Sequence, residues 1–143
     1  MSNLILLSLK PEHAANIYSG KKTVEVRKNC PAKSVPLLAL VYESGPVKAV
    51  TGSIRIDNVI TASPDFIWEH YGSRTCISQA DFRGYFGKKY AGHAWEVASM
   101  RRYDEPIPLA ELRHRWPGFH PPQSWRYLDS GQWDTLTKID HVK

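Results

Sequence analysis

The sequence of 143 residues predicts an α+β fold, a small curled β-sheet or barrel flanked by helices. Three observations predict it. The apolar runs are strand-sized, as at Leu4–Leu7 and Pro36–Tyr42. Strand patterns dominate and helical patterns decorate them, without the regular βαβα succession of a doubly wound sheet. The composition is that of an ordinary globule, with 42% hydrophobic and 23% charged residues. That supplies enough apolar surface to offset ordering entropy and argues against a disordered chain. The length suits one domain over residues 1–143, with a core over about residues 4–128 and a C-terminal extension at 129–143.

The elements follow in order. Leu4–Leu9 reads as a buried strand. Pro11 suits the first turn of a helix, Ala14, Ile17 and Tyr18 share one face of it, and Gly20 supplies a left-handed stop. Lys22–Lys28 alternates as a strand does: Val24 and Val26 fall on one face with Lys22 and Lys28, and Thr23, Glu25 and Arg27 on the other. That second, wholly polar face either meets water or lines a pocket. Leu37–Tyr42 and Lys48–Ile56 are further strands, the latter with Gly52 as a bulge position. Ser63-Pro64-Asp65 opens a helix, and Ser78 caps another that carries Phe82, Tyr85 and Phe86. Gly92–Ala98 reads as a strand, Pro106–Pro108 as a turn and Leu109–Arg115 as a short helix. Regular structure in the aromatic tail is expected only at Trp125–Leu128, and Gly131–Lys143 reads as a short helix or a frayed end.

Composition also bounds the function. No apolar run approaches the ~20 residues that cross a bilayer. The start MSNLILLSLKP lacks a basic n-region and a cleavage site, so the expectation is a cytoplasmic protein without a membrane partner. Cys30 and Cys76 belong to no C-x-x-C pair and read as free thiols. The six histidines show no metal-ligand spacing, and no phosphate loop, dinucleotide fingerprint or nucleophile elbow occurs. Neither metal nor cofactor is expected. The formal net charge is +5. Residues 1–34 set Lys10, Lys21, Lys22, Arg27, Lys28 and Lys33 against Glu12 and Glu25, and residues 83–102 set five cations against Glu96. Two basic segments around an acidic middle could fold into one face for a polyanion, or serve only solubility.

Two stretches carry chemistry. In Gly20-Lys21-Lys22-Thr23-Val24-Glu25-Val26-Arg27, a glycine launches a strand whose polar face can hold a Lys–Glu or Glu–Arg pair. A lysine beside a carboxylate in a cleft can donate a proton or meet an oxyanion; the same pattern also describes a solvated strand face with cross-strand ion pairs. The second stretch, Phe119-His120-Pro121-Pro122-Gln123-Ser124-Trp125-Arg126-Tyr127, combines aromatics, cations and an amide. It can stack and read unpaired bases, or it can seal the barrel with Trp125 and Tyr127 in the core.

At these residues the sequence resembles the ASCH domain family, activating-signal cointegrator homology domains of the PUA-like superfamily. Leu7-Ser8-Leu9-Lys10-Pro11 and the G-K-K-T-V-E-V-R segment resemble its signature. Ala39–Ser44 and Val50–Ile54 look like the family's next strands, and Ala94–Val97 and Pro121–Tyr127 are similar to small stand-alone members, so the likeness runs from about Leu4 to Leu128. The resemblance implies a PUA-like β-barrel with a cleft beside the first helix, binding RNA or a nucleoside or nucleotide there. Some small members hydrolyse N4-acetylcytidine, and others are described as ribonucleases. In the deacetylating branch the lysine before the motif threonine is catalytic, which places that role on Lys22. The branch's threonine nucleophile is replaced here by Glu25, a carboxylate that could activate water instead.

The expected function is therefore an RNA- or modified-nucleoside-binding domain with a basic cleft that could hydrolyse N4-acetylcytidine. Lys22 and Glu25 are its candidate catalytic residues. Lys10, Thr23 and Arg27 are candidate ligand contacts, with Tyr42 and Ser44 from the third strand. Gln123, Ser124, Trp125, Arg126 and Tyr127 complete the set. The alternatives are a ribonuclease using Lys22 with Ser124 or Tyr42 in the same cleft, and a non-catalytic regulatory binding module.

Overall fold

The N-terminal apolar run forms β1 (Asn3–Leu9) in the computed structural model, which describes residues 3–31 and 35–142, with side chains through residue 137. Lys10 precedes α1 (Pro11–Tyr18), and Gly20 reverses the chain at φ 83° into β2 (Val24–Arg27). β3 (Leu37–Glu43) and β4 (Ala49–Ala62) follow. Then come α2 (Pro64–Tyr71), a 3-10 turn at Gly72–Arg74, and α3 (Gln79–Phe86). β5 (Gly92–Pro108), α4 (Leu109–Arg115), β6 (Trp125–Tyr127) and α5 (Ser130–Val142) complete the chain. Among the described residues no helix is long and apolar enough to cross a membrane.

The strands form one curled sheet in the order β2-β5-β4-β3-β1-β6. β1 and β3 are parallel, from Asn3 opposite Leu37 to Leu9 opposite Glu43, and the other pairs are antiparallel. β1 is apolar on successive positions because it is covered on both faces. Ile5, Leu7 and Leu9 join Ala39, Val41, Trp95 and the α1 residues Ala14 and Ile17. Leu6 joins Leu40, Tyr42, Tyr103, Leu112 and the α5 residue Leu136 on the other side. A third cluster packs Ile67 of α2 and Phe82 and Phe86 of α3 against Val24, Val26 and Ala94.

Three expectations are corrected, and one left open is decided. β4 continues to Ala62 rather than ending at Ile56. β5 runs from Gly92 to Pro108 through the expected turn at Pro106–Pro108, with Ile107 opposite Val50 and Pro108 opposite Ala49. β2 accompanies β5 only from His93 to Glu96, so beyond that β5 is an edge where a proline's missing N–H breaks no ladder. Of the two readings of the tail, the helix is the one that forms: Gln132 N donates to Asp129 Oδ1 at 2.7 Å and Asp129 N to Gln132 Oε1 at 3.1 Å, a reciprocal cap. Residue 143 lies outside the described residues. Lys22 does not share the strand face of Val24 and Val26; it sits in the turn before β2, and its side chain swings toward Glu25.

Candidate functional site: a cleft at the seam of the curled sheet

β2 and β6 are opposite edges of the sheet, yet the curl brings them together. Arg27, at the end of β2, spans the gap. Its Nη2 donates to Ser8 O on β1 at 3.1 Å and its Nη1 to Ser124 Oγ, just before β6, at 3.0 Å. The strap Pro122–Ser124 is tied to the same strand end, with Ser8 N donating to Ser124 O at 2.9 Å and Ser8 Oγ to Pro122 O at 2.7 Å. A cavity of about 670 Å³ opens beside this seam, between the end of β1, the first turn of α1, β2 and one face of α3.

Its floor is an ion triad. The Glu25 carboxylate lies between two cations: Oε2 accepts from Arg27 Nε at 2.7 Å and Oε1 is 3.3 Å from Lys22 Nζ. Lys22 is 2% exposed and Glu25 6%, so neither charge is solvated as on an open strand. Lys22 Nζ also donates to Thr75 O at 2.6 Å, a carbonyl held in place by the 3-10 turn, where Thr75 Oγ1 donates to Gly72 O. An ammonium has three N–H groups; two are directed at Thr75 and Glu25, and no third partner is found among the described residues. Burial pushes the Glu25 carboxyl up, but Arg27 and Lys22 together outweigh it and hold the group below its ordinary value. His13 of α1 also lines the cavity. Burial and then the Lys22 charge lower its pKa, so the ring is neutral around neutral pH.

Of the expected site residues, the cavity gathers Lys10, Lys22, Glu25, Arg27 and Gln123, with Ser124 behind Arg27. Thr23 stands outside it, its Oγ1 accepting from Arg74 Nε. Ser44 braces the end of β1 through Leu9 O. Tyr42 is buried in the core on the far face of the sheet. Trp125 packs on the near core and makes an edge contact with the half-exposed Tyr127, and the Arg126 guanidinium covers Phe119. The lining that the sequence did not mark includes Ser8, His13, Ser78 and Tyr85. The one available signal was position: Ser78 caps α3 and Tyr85 lies two turns along it. The cleft expected to be basic has Lys10, Lys22 and Arg27 against Glu12, Glu25 and Asp81. Glu12 and Asp81 are exposed at the rim, so the buried floor keeps an excess of one positive charge.

The curled sheet with a ligand-sized cleft at its seam is the PUA-like arrangement that the resemblance implies. The comparisons agree and go further. A family model described as a domain of unknown function, DUF365, matches residues 5–113. A Zymomonas mobilis protein named an ASCH domain-containing ribonuclease is 30% identical over 134 residues, covering 94% of this chain and 90% of that protein. The crystal structure of ASCH from Zymomonas mobilis matches with a TM-score of 0.89 at 29% identity, over 96% of this chain and 95% of that one. Human THYN1, solved in complex with DNA containing 5-methylcytosine, matches with a TM-score of 0.63 at 14% identity over 99% of both chains, a likeness of fold. The chain belongs to the ASCH domain family.

Proposed function

We propose that the protein binds single-stranded RNA by seating one nucleotide in the seam cleft, and that RNA cleavage is its chemistry. The observation that carries this reading is the buried Lys22 ammonium, fixed at 2.6 Å from Thr75 O and 3.3 Å from Glu25 with a donor to spare. The cavity of about 670 Å³ falls in the range of small-ligand sites. In cleavage a ribose 2′-hydroxyl attacks phosphorus and gives up its proton, and the 5′-oxygen leaves and takes one. Negative charge grows on the non-bridging oxygens, where a fixed, water-poor ammonium acts most strongly. Lys10 at the rim suits the neighbouring phosphate, and Gln123 suits a base edge. The relative named a ribonuclease supports the same choice.

Hydrolysis of N4-acetylcytidine would use the same lysine to polarise the acyl oxygen. Glu25 would then have to activate water, and a carboxylate kept ionised by two cations is a weak base. The geometry supports that reading less well. One experiment separates the two: incubate wild type and Lys22→Met with a mixed-sequence RNA and, separately, with N4-acetylcytidine. The expected result is RNA shortened by wild type alone. Cytidine without RNA cleavage would replace the proposal with an amidohydrolase, RNA binding without either product would reduce it to a binding module, and no binding would reject it.

A further inference from the structure

We infer that Tyr90, with the lysines before it, is a stacking platform outside the cleft for an unpaired base of the same RNA strand; the inference rests on RNA being the ligand of the cleft. Tyr90 is 96% exposed, twice the exposure of Tyr127 or Val35, and Lys88 and Lys89 beside it are exposed as well. The backbone on either side of it is held. Lys89 N donates to Phe86 O at 3.1 Å, and Gly87 turns the chain at φ 56°. Phe86 is buried against Gly92, where a Cβ would fall 2.3 Å from the ring. The short stretch carrying Tyr90 is thus tied at both ends, so a ligand has the side chain to order but little of the backbone.

Its position ties it to the cleft. α3 walls the cavity with Ala80, Asp81, Gly84 and Tyr85 and then runs directly into this turn. Lys28, next to Arg27, holds its ammonium 4.7 Å above the Tyr85 ring. Positive charge thus lies on Lys28 over Tyr85 and again on Lys88 and Lys89, three and four residues further along the chain. Tyr90 follows Tyr85 by five residues, so their Cα atoms lie within about 17 Å, a span of a few nucleotides. An open aromatic face flanked by cations is the chemistry of single-strand binding: the ring takes any base and the lysines take the phosphates. A duplex hides its base faces in the stack and offers the ring nothing but backbone.

The test uses a fluorescein-labelled mixed-sequence RNA octanucleotide carrying 2′-fluoro sugars, which cannot be cleaved through a 2′-hydroxyl, read by anisotropy. The four nucleoside 5′-monophosphates are titrated in parallel by calorimetry, against wild type, Tyr90→Ala, Tyr90→Phe and Lys22→Met. Tyr90→Ala should weaken octanucleotide binding about 5- to 100-fold, the worth of one stacked base, and leave the mononucleotides unchanged. Tyr90→Phe should keep both affinities. If Tyr90→Ala binds the octanucleotide as wild type does while Lys22→Met does not, the platform is overturned and the cleft reading stands. Equal loss of octanucleotide and mononucleotide binding by Tyr90→Ala also overturns it. If wild type does not bind the octanucleotide, the RNA reading of the cleft fails and the platform fails with it.

Discussion

Glu25 carries two duties that pull in one direction. It neutralises two cations that would otherwise be buried without a counter-charge, and it fixes where they point. Glu25→Ala should cost about 3–5 kcal/mol, because removing one partner of a buried ion pair leaves the others uncompensated; urea unfolding measures it. The pH dependence follows from the direction of its pKa. The folded value lies below the unfolded one of about 4.3. The stabilisation is therefore complete above that pH and is lost as pH falls through the folded value. Melting temperature followed from about pH 6 to pH 3 should drop less steeply in Glu25→Gln than in wild type. The residue types of this triad were legible in the sequence, because a lone glutamate among Lys22, Arg27 and Lys28 on a short strand invites pairing. The partners were not. Arg27 meets Ser124 across 97 positions and Lys22 meets Thr75 across 53, and no local pattern encodes contacts made by the curl of a sheet.

At the scale of elements, local chemistry was read well where it is local. Ser63 and Ser78 cap their helices by accepting from Phe66 N and Asp81 N, and Gly52 marks the irregularity where β4 slips register against β5. A Cβ at Gly52 would lie 2.2 Å from Arg101 O and 2.6 Å from Tyr18 Oη. The backbone carbonyl cannot step aside, so Gly52→Ala should destabilise the domain by about 1–3 kcal/mol, with a melting temperature lowered by several degrees in calorimetry. The full lengths of β4 and β5 were missed because their outer halves are solvent-facing. Asp57, Asn58 and the Ser99–Arg102 stretch are exposed strand residues whose polarity imitates loops. The reciprocal cap Asp129-x-x-Gln132 at the start of α5 was not read from the sequence, although it is a local pattern. Asp129→Ala should lower stability by about 1 kcal/mol and reduce far-ultraviolet helical signal on gentle heating, since α5 contributes Leu136 to the core.

For the molecule as a whole, the net charge of +5 is not concentrated in the cleft, whose lining sets three cations against three carboxylates. RNA affinity should accordingly fall with salt, with a slope of about −0.7 for each phosphate contacted. Lys10→Ala and Lys89→Ala should each flatten that slope by about that amount without altering which base is preferred. A double variant that flattens it no further than either single change would place both lysines on one phosphate.

The guanidinium of Arg27 clasps the first and last edges of the sheet, and the cleft opens against that clasp. Whatever fills the cleft therefore also weighs on whether the sheet stays shut. Transient parting of β2 from β1 and β6 exposes amides to deuterium, and a bound nucleotide touching Arg27 and Gln123 would hold both lips together. Occupancy should slow exchange at β2 and β6 while leaving central β4 untouched, because only the states in which the seam has sprung are unable to bind. The domain would then report its ligand through the breathing of its own edges.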